Sequence, residues 1–381
     1  MSKTFVLAPD SFKESMTANE ACQAMRLGIA RIFPDANIIS VPMADGGEGT
    51  VDAILAACAG EKVKCEVMGP LAEQCVEAYF ALLDQGQTAV VEMALANGIQ
   101  LLDVSRRNPL YTSSYGTGQL ISAALDQGVK RIIIGLGGSV TNDAGIGMAQ
   151  ALGARFYDIK GRELNLGAEC LLQLDRIDIT GLDPRLAQTD IVIASDVTNP
   201  LLGPNGASYI YGPQKGATAA QVPFLDQSLA HVAAIVQSQL GIDVQDIAGS
   251  GAAGGLGYGL MVFASAKMSS GVETMLDLVQ LKQYLPQADY VFTGEGAIDQ
   301  QTLQGKTPFG VMRIAQQFNV PVIACAGRVG EGIDALYTAG FSAIFSIVPE
   351  CCTVEQACLH GAENLERCCE NIARIMRMAE S

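Results

Sequence analysis

Six apolar runs along this chain each lead into a carboxylate. Asp10 follows "FVLA", Asp45 follows "ISVPMA", and Glu92 closes "AVVE". Asp143 comes after "RIIIG", Asp196 after "DIVIAS" and Glu295 after "YVFTG". Glycines and hydroxyls crowd the same stretches. Ser11 and Lys13 follow Asp10, and the turn at 45–50 holds Gly46, Gly47, Glu48, Gly49 and Thr50. "LGGSVTNDAG" brings Ser139, Thr141 and Asn142 beside Asp143, with Gly137 and Gly138 ahead of them. Asn199 follows Asp196, while Asp299 and Lys306 follow Glu295. Each loop alone is an ordinary turn, since Asp and Gly both favour turns. Together they predict a shared polar cleft, because ligands of open α/β sheets bind beyond the carboxyl ends of the strands.

The residue types narrow the chemistry. His231 and His360 both fall in helical patterns, away from these loops. There is no H-E-x-x-H, no G-x-S-x-G and no cysteine cluster, so zinc and histidine-based catalysis are disfavoured. Carboxylates, glycine-rich loops with hydroxyls, and a few lysines suit phosphoryl transfer, which needs positioning, a divalent ion and a base. Oxygen ligands without imidazole are what Mg²⁺ prefers. The turn "PMADGGEGTVDAI" (42–54) then has a consistent reading. Helix amides take phosphate oxygens, and Asp45 or Glu48, directly or through water, holds the metal those oxygens share. The competing reading is that Glu48 only favours the helix's positive end, worth ~0.5 kcal/mol.

Two motifs fall short. "GKT" at 305–307 would end a P-loop only if position 300 were glycine, and it is Gln300. "GSGAAG" at 249–254 matches G-x-G-x-x-G, but the preceding "DVQDIA" is a poor strand. A glycine loop there, with Gly254 and Gly255, serves a phosphate or a substrate carboxylate as well as a dinucleotide.

The elements that must position these groups follow from periodicity. "TFVLA" (4–8) reads as a strand, and Thr17 with Glu20 forms a capping box. Cys22, Met25, Ile29 and Ile32 then recur at helical spacing. A second strand over 37–43 and a helix marked by Val51, Ile54, Leu55 and Cys58 complete β-α-β-α, the pattern of a parallel sheet. The last hundred residues repeat this style, with strands at 289–296, 320–327 and 341–349 and a helix begun by Pro308. A closing helix starts near Thr353, with Ala362, Leu365, Cys369 and Ile372 as its stripe. The middle differs: runs at 88–92, 131–135 and 190–194 are separated by long polar stretches. Gly69-Pro70 and 284–289 read as exit and re-entry points, predicting a domain from 1–69 and 286–381 with an α/β insert at 70–285.

Composition bounds the rest. The 381 residues are 49% hydrophobic and 17% charged, the mix of a packed globular protein. The net charge of −16 argues against a nucleic-acid surface. No apolar stretch is long enough to span a membrane, and the N-terminus does not read as a signal peptide. The eleven cysteines, with no C-x-x-C, read as reduced thiols on core faces of a cytoplasmic protein. Oligomeric state is left open, a homo-oligomer included.

In order and spacing, "APDSFKES", "PMADGGEGTVDA", "GLGGSVTNDAG", "SDVTNPLLGPNGA", "GSGAAGGLGYG" and "TGEGAIDQQTLQGKTP" resemble the bacterial glycerate kinases of the glycerate 2-kinase type. The resemblance spans essentially the whole chain. It implies an ATP- and Mg²⁺-dependent kinase making 2-phosphoglycerate from D-glycerate. It also implies a discontinuous flavodoxin-like domain with a restriction-enzyme-like insert.

Within that frame Lys13 contacts a phosphate or the substrate carboxylate, and Lys306 neutralises a phosphate. Asp45 and Glu48 serve the metal, while Gly46, Gly47, Gly49, Thr50 and Asp299 face the nucleotide. Asp10, Ser11, Ser139, Thr141, Asn142, Asp143, Asn199, Gly254 and Gly255 bind substrate. Asp196 leads as the base or orienting group, with Glu295 and Asp299 as alternatives. The competing functions are a dinucleotide-dependent oxidoreductase acting on a small hydroxy acid, a kinase giving 3-phosphoglycerate, and a non-catalytic solute-binding protein.

Overall fold

The computed structural model describes residues 2–379. The chain divides into two compact units. The first is built from the residues up to Asp45, from Asp52–Ala59, and from Val272 onward. The second comprises Gly46–Val51 and Gly60–Gly271. Strands are numbered along the chain.

The first unit carries β1 (Thr4–Leu7), β2 (Asn37–Ser40), β11 (Tyr290–Ile298), β12 (Val322–Val329) and β13 (Ala343–Ser346). They lie in the order β13-β12-β11-β1-β2, and every pairing is parallel. Phe5 sits opposite both Tyr290 and Ile38. Counted within the unit this is strand order 2-1-3-4-5, the flavodoxin-like arrangement. The expected α/β class and flavodoxin-like sheet are therefore present.

Its core joins Phe5, Leu7, Phe292 and Cys325 of the sheet to Cys22, Met25 and Ile29 of the helix Ala18–Ala30 and to Leu365, Cys369 and Ile372 of the helix Gly361–Ala379. Thr17 and Glu20 form the anticipated capping box on the first of these helices. Gly28 lets the two helices close up: a Cβ there would lie 2.2 Å from the Glu366 carbonyl oxygen. The closing helix differs from expectation, because it is two helices. Thr353 caps Val354–Leu359, and a new helix begins at Gly361. A Cβ on Gly361 would fall 2.0 Å from Ser15 Oγ, whose hydroxyl donates to the Cys358 carbonyl. That packing breaks a pattern that continues smoothly in sequence.

The second unit holds β3 (Gly60–Met68), β4 (Cys75–Leu83), β5 (Thr88–Glu92), β6 (Arg131–Gly135), β9 (Asp190–Ala194) and β10 (Lys267–Ser269), in the order β10-β9-β6-β5-β4-β3. The pairings among β5, β6, β9 and β10 are parallel, and β3-β4-β5 is an antiparallel meander. A small antiparallel pair, β7 (Arg155–Asp158) and β8 (Leu174–Asp178), lies apart from this sheet. The boundaries fall away from the Gly69-Pro70 and 284–289 cues. Gly69 N–H donates to the Gln74 carbonyl, so Gly69-Pro70 turns a hairpin inside this unit. Residues 60–69 thus belong to the second unit, and 272–285 to the first.

His231, on the helix Gln221–Leu240, bonds through Nε2 to the Leu174 carbonyl at 2.7 Å, a structural role. All eleven cysteines are free, but Cys75, Cys351 and Cys352 are exposed rather than on core faces. Among the described residues no helix is long and apolar enough to cross a membrane.

Candidate active site

The first unit concentrates acids where its topology reverses. The chain leaves β1 toward β2 on one side, while β11 to β13 extend on the other, so the crevice between β1 and β11 is the switch point of the sheet. Asp10 lies just past β1 and is pinned there by its own N–H to the Gly294 carbonyl, 2.9 Å away. Its carboxylate accepts the Ser11 N–H at 2.6 Å and the Thr307 hydroxyl. Glu295, on β11, receives Lys306 Nζ and the Thr302 hydroxyl, each at 3.4 Å. Asp10, Ser11, Lys13, Asp45, Glu295, Lys306, Thr307 and Arg328 all line one cavity of about 900 Å³.

Burial sets the electrostatics. Asp10 is almost fully buried, and desolvation, reinforced by the Asp45 charge, pushes its carboxyl up to about 7. Desolvation likewise pushes Glu295 up to about 7, against the lowering pull of Lys306 and with a small upward contribution from Asp45. Strongly shifted acids beside cations in a cavity are the pattern of a working site. Lys306 is also the N-cap of the helix Thr307–Gln317, so the positive end of that helix opens on the cavity. Lys13 is exposed and has no ion-pair partner among the described residues.

Other expected members do different work. Asp299 caps the short 3-10 helix Gln300–Gln304 through Gln301 N–H and pairs with Arg328 at 3.6 Å. Glu48 is exposed. The amides expected to take phosphate are already engaged. Gly49 N–H donates to Glu92 Oε1 at 3.0 Å and Val51 N–H to Glu92 Oε2 at 3.2 Å. Glu92 is 2% exposed, so a side-chain carboxylate fills the place reserved for a ligand's anion. The glycines there make room for backbone: a Cβ on Gly46 would sit 2.5 Å from the Ala194 carbonyl oxygen, and one on Gly137 2.4 Å from Gly47 Cα. Thr50 turns its hydroxyl back to the Gly47 carbonyl.

The second unit's acids accept hydrogen bonds from backbone and hydroxyl groups near them. Asp143 is buried and accepts from Ser114 N–H (2.8 Å), Ser114 Oγ (2.9 Å), Gly145 N–H (3.2 Å), Gly147 N–H (3.3 Å) and Ser113 Oγ (3.4 Å). It ties two helix starts together. Asp196 is exposed, and its Oδ1 accepts Ser270 Oγ and Gly271 N–H at 2.8 and 3.0 Å, at the start of the helix Gly271–Leu278. Asn199 is spent on the Asn205 carbonyl and the Tyr211 hydroxyl. Ser139 is buried and bridges to Gly98. Asn142 Nδ2 donates to Ser208 Oγ, while Asn142 Oδ1 and Thr141 Oγ1 are buried without a protein partner.

Gly254 and Gly255 hold left-handed φ of +67° and +87°, and a Cβ on Gly254 would lie 2.0 Å from the Thr141 carbonyl oxygen. They pack that loop; residues 241–251 before them form no strand, which removes the structural context a dinucleotide fingerprint requires. Thr307 and Lys215 went unforeseen, as did Arg328 on the cavity wall. Thr307, which orients Asp10, was visible only as the last letter of "GKT". Lys215, buried and donating to the Thr141 carbonyl at 2.7 Å, had no sequence signal at all; burial pushes its amine down to about 7.

Acids on and just past parallel strands beside cations suit phosphoryl chemistry, and comparison with known proteins decides the family. The model of the glycerate kinase family matches residues 5–377. The chain belongs to the glycerate kinase family. It is 50% identical to a Halalkalibacterium halodurans glycerate kinase over 97% of both chains. Against the Escherichia coli K12 glycerate 2-kinase it is 46% identical, over 97% of this chain and 96% of that one. Among solved structures, the candidate glycerate kinase 2 of Salmonella typhimurium LT2 superposes with a TM-score of 0.87 at 45% identity, over the full length of both chains.

Proposed function

We propose that this member of the glycerate kinase family phosphorylates D-glycerate at the 2-hydroxyl, drawing the phosphoryl group from ATP in the cytoplasm. The observation that carries the reading is the joining of Asp10, Asp45 and Glu295 with Lys13 and Lys306 in one cavity at the switch point of a parallel sheet. Phosphoryl transfer asks the protein chiefly for placement and charge. Lys13 and Lys306 hold phosphate oxygens there. Asp10, oriented by Thr307 and poised near neutral pH, takes the proton of the attacking hydroxyl. Glu295 fixes Lys306.

Among the described residues no three His, Cys, Asp or Glu converge as a metal cage. That donor set still fits Mg²⁺, which is commonly held by one or two carboxylates plus phosphates and water. Asp45, half-buried on the cavity wall, is the residue we assign to it. When bound, the ion would neutralise charge on the phosphates.

Incubation with ATP, Mg²⁺ and D-glycerate, followed by ³¹P–¹H NMR, tests this. Phosphorus coupled to the C2 proton is expected. Coupling to the C3 protons would overturn the regiochemistry, and absence of any phosphorylated acid would overturn the activity.

A further inference from the structure

The first unit's cavity is too large and too mixed for a three-carbon acid. Its volume of about 900 Å³ falls in the roughly 300–1,000 Å³ range of sites for drug-sized ligands. Its lining includes Lys13, Lys306 and Arg328, with the positive end of the helix Thr307–Gln317. The same lining includes the apolar Phe12, Val329, Ile347, Val348, Val354 and Ala357. An occupant matching both kinds of lining has a polyanionic tail and a flat, weakly polar head.

We infer that this cavity holds the nucleotide co-substrate, with its base between the end of β13 and the helix Val354–Leu359 and its phosphates among Lys13, Lys306 and Arg328. The inference rests on the kinase reading above and adds where the donor binds: the first unit's cavity, not the amides of the glycine turn at 46–50. It makes the stretch Glu350–Val354, with the exposed Cys351 and Cys352, part of the base end. These thiols are built-in reporters. Cys75, exposed on β4 of the other unit, is an internal control.

Alkylation of the native protein by iodoacetamide, read site by site by mass spectrometry, tests the placement without turnover and without glycerate. With Mg-ADP at ten times its Kd, Cys351 and Cys352 should react about tenfold more slowly, as occupancy leaves about one-tenth of the protein free, and Cys75 should be unchanged. Tripolyphosphate alone should compete for ADP binding yet leave Cys351 and Cys352 unprotected. Equal protection by tripolyphosphate would overturn the placement of the base, and protection by NADH but not ADP would overturn the choice of occupant. As a second arm, Ala357→Trp should raise the KM for ATP by about tenfold or more, a 1.4 kcal/mol effect, and leave the KM for the acid unchanged. A raised KM for the acid with an unchanged KM for ATP would overturn the inference. Because ADP protection is read without an acceptor, it stands or falls independently of which acid is phosphorylated.

Discussion

Asp10→Asn should make the protein more stable at alkaline pH while making it a poorer catalyst. In the folded state the Asp10 carboxyl is pushed from 3.8 up to about 7, first by desolvation and then by Asp45. Below about pH 3.8 the group is protonated in both folded and unfolded chains and contributes nothing. Between about pH 3.8 and 7 the folded chain keeps a proton that the unfolded chain has lost, so stability falls as pH rises. Above about pH 7 both are ionised and the full cost persists. Three pH units at about 1.36 kcal/mol each put that cost at no more than about 4 kcal/mol. Asparagine keeps an Oδ1 acceptor for the Ser11 N–H, offers its Nδ2 to a Thr307 hydroxyl that can turn and accept, and cannot ionise. Urea denaturation in metal- and nucleotide-free buffer reads the effect. The variant should gain up to about 4 kcal/mol over the wild type at pH 8.5, and near zero at pH 4. A stability difference that does not change with pH would refute the reasoning, because it would mean that Asp10 titrates normally.

Three further outcomes follow from the same geometry. Asp143→Ala strips a buried acceptor from five donors, so a loss of more than about 3 kcal/mol of stability is expected in a denaturant titration; a fully stable but inactive variant would return Asp143 to substrate binding. Glu92→Gln sets a side-chain amide against two backbone N–H donors and should cost about 1.5–3 kcal/mol by thermal or urea unfolding. Lys306→Ala should raise the ATP concentration needed for half-maximal rate, and an unchanged requirement would mark this lysine as structural.

Asp10 could be read from the sequence because an apolar run followed by Asp locates a strand's carboxyl end, and the sheet's topology does the rest; Glu295 lies inside β11, which runs on to Ile298. Asp143 and Glu92 carry the same local signature and do opposite work. A buried carboxylate that satisfies backbone N–H groups and one that faces a ligand differ only in what the fold brings opposite them, which spacing does not encode. The same limit applies to the glycines. Gly46 and Gly254 look like ligand loops in sequence, but they are glycine because another backbone passes within contact distance. Lys215 was invisible for a related reason: a single lysine in a polar stretch gives no sign that it will be buried. The break at Gly361 was hidden because the apolar stripe runs on past it.

The pairing of Phe5 with Tyr290 also bears on how the chain is made. As it leaves the ribosome, β1 can meet β2 early, but its other edge stays open until β11 is synthesised, long after the second unit's strands are complete. An open strand edge invites wrong partners. Nascent chains halted after Gly271 should therefore show protease resistance across Gly60–Gly271 and ready cleavage before Asp45, which would make the N-terminal segment the natural client of a chaperone during translation.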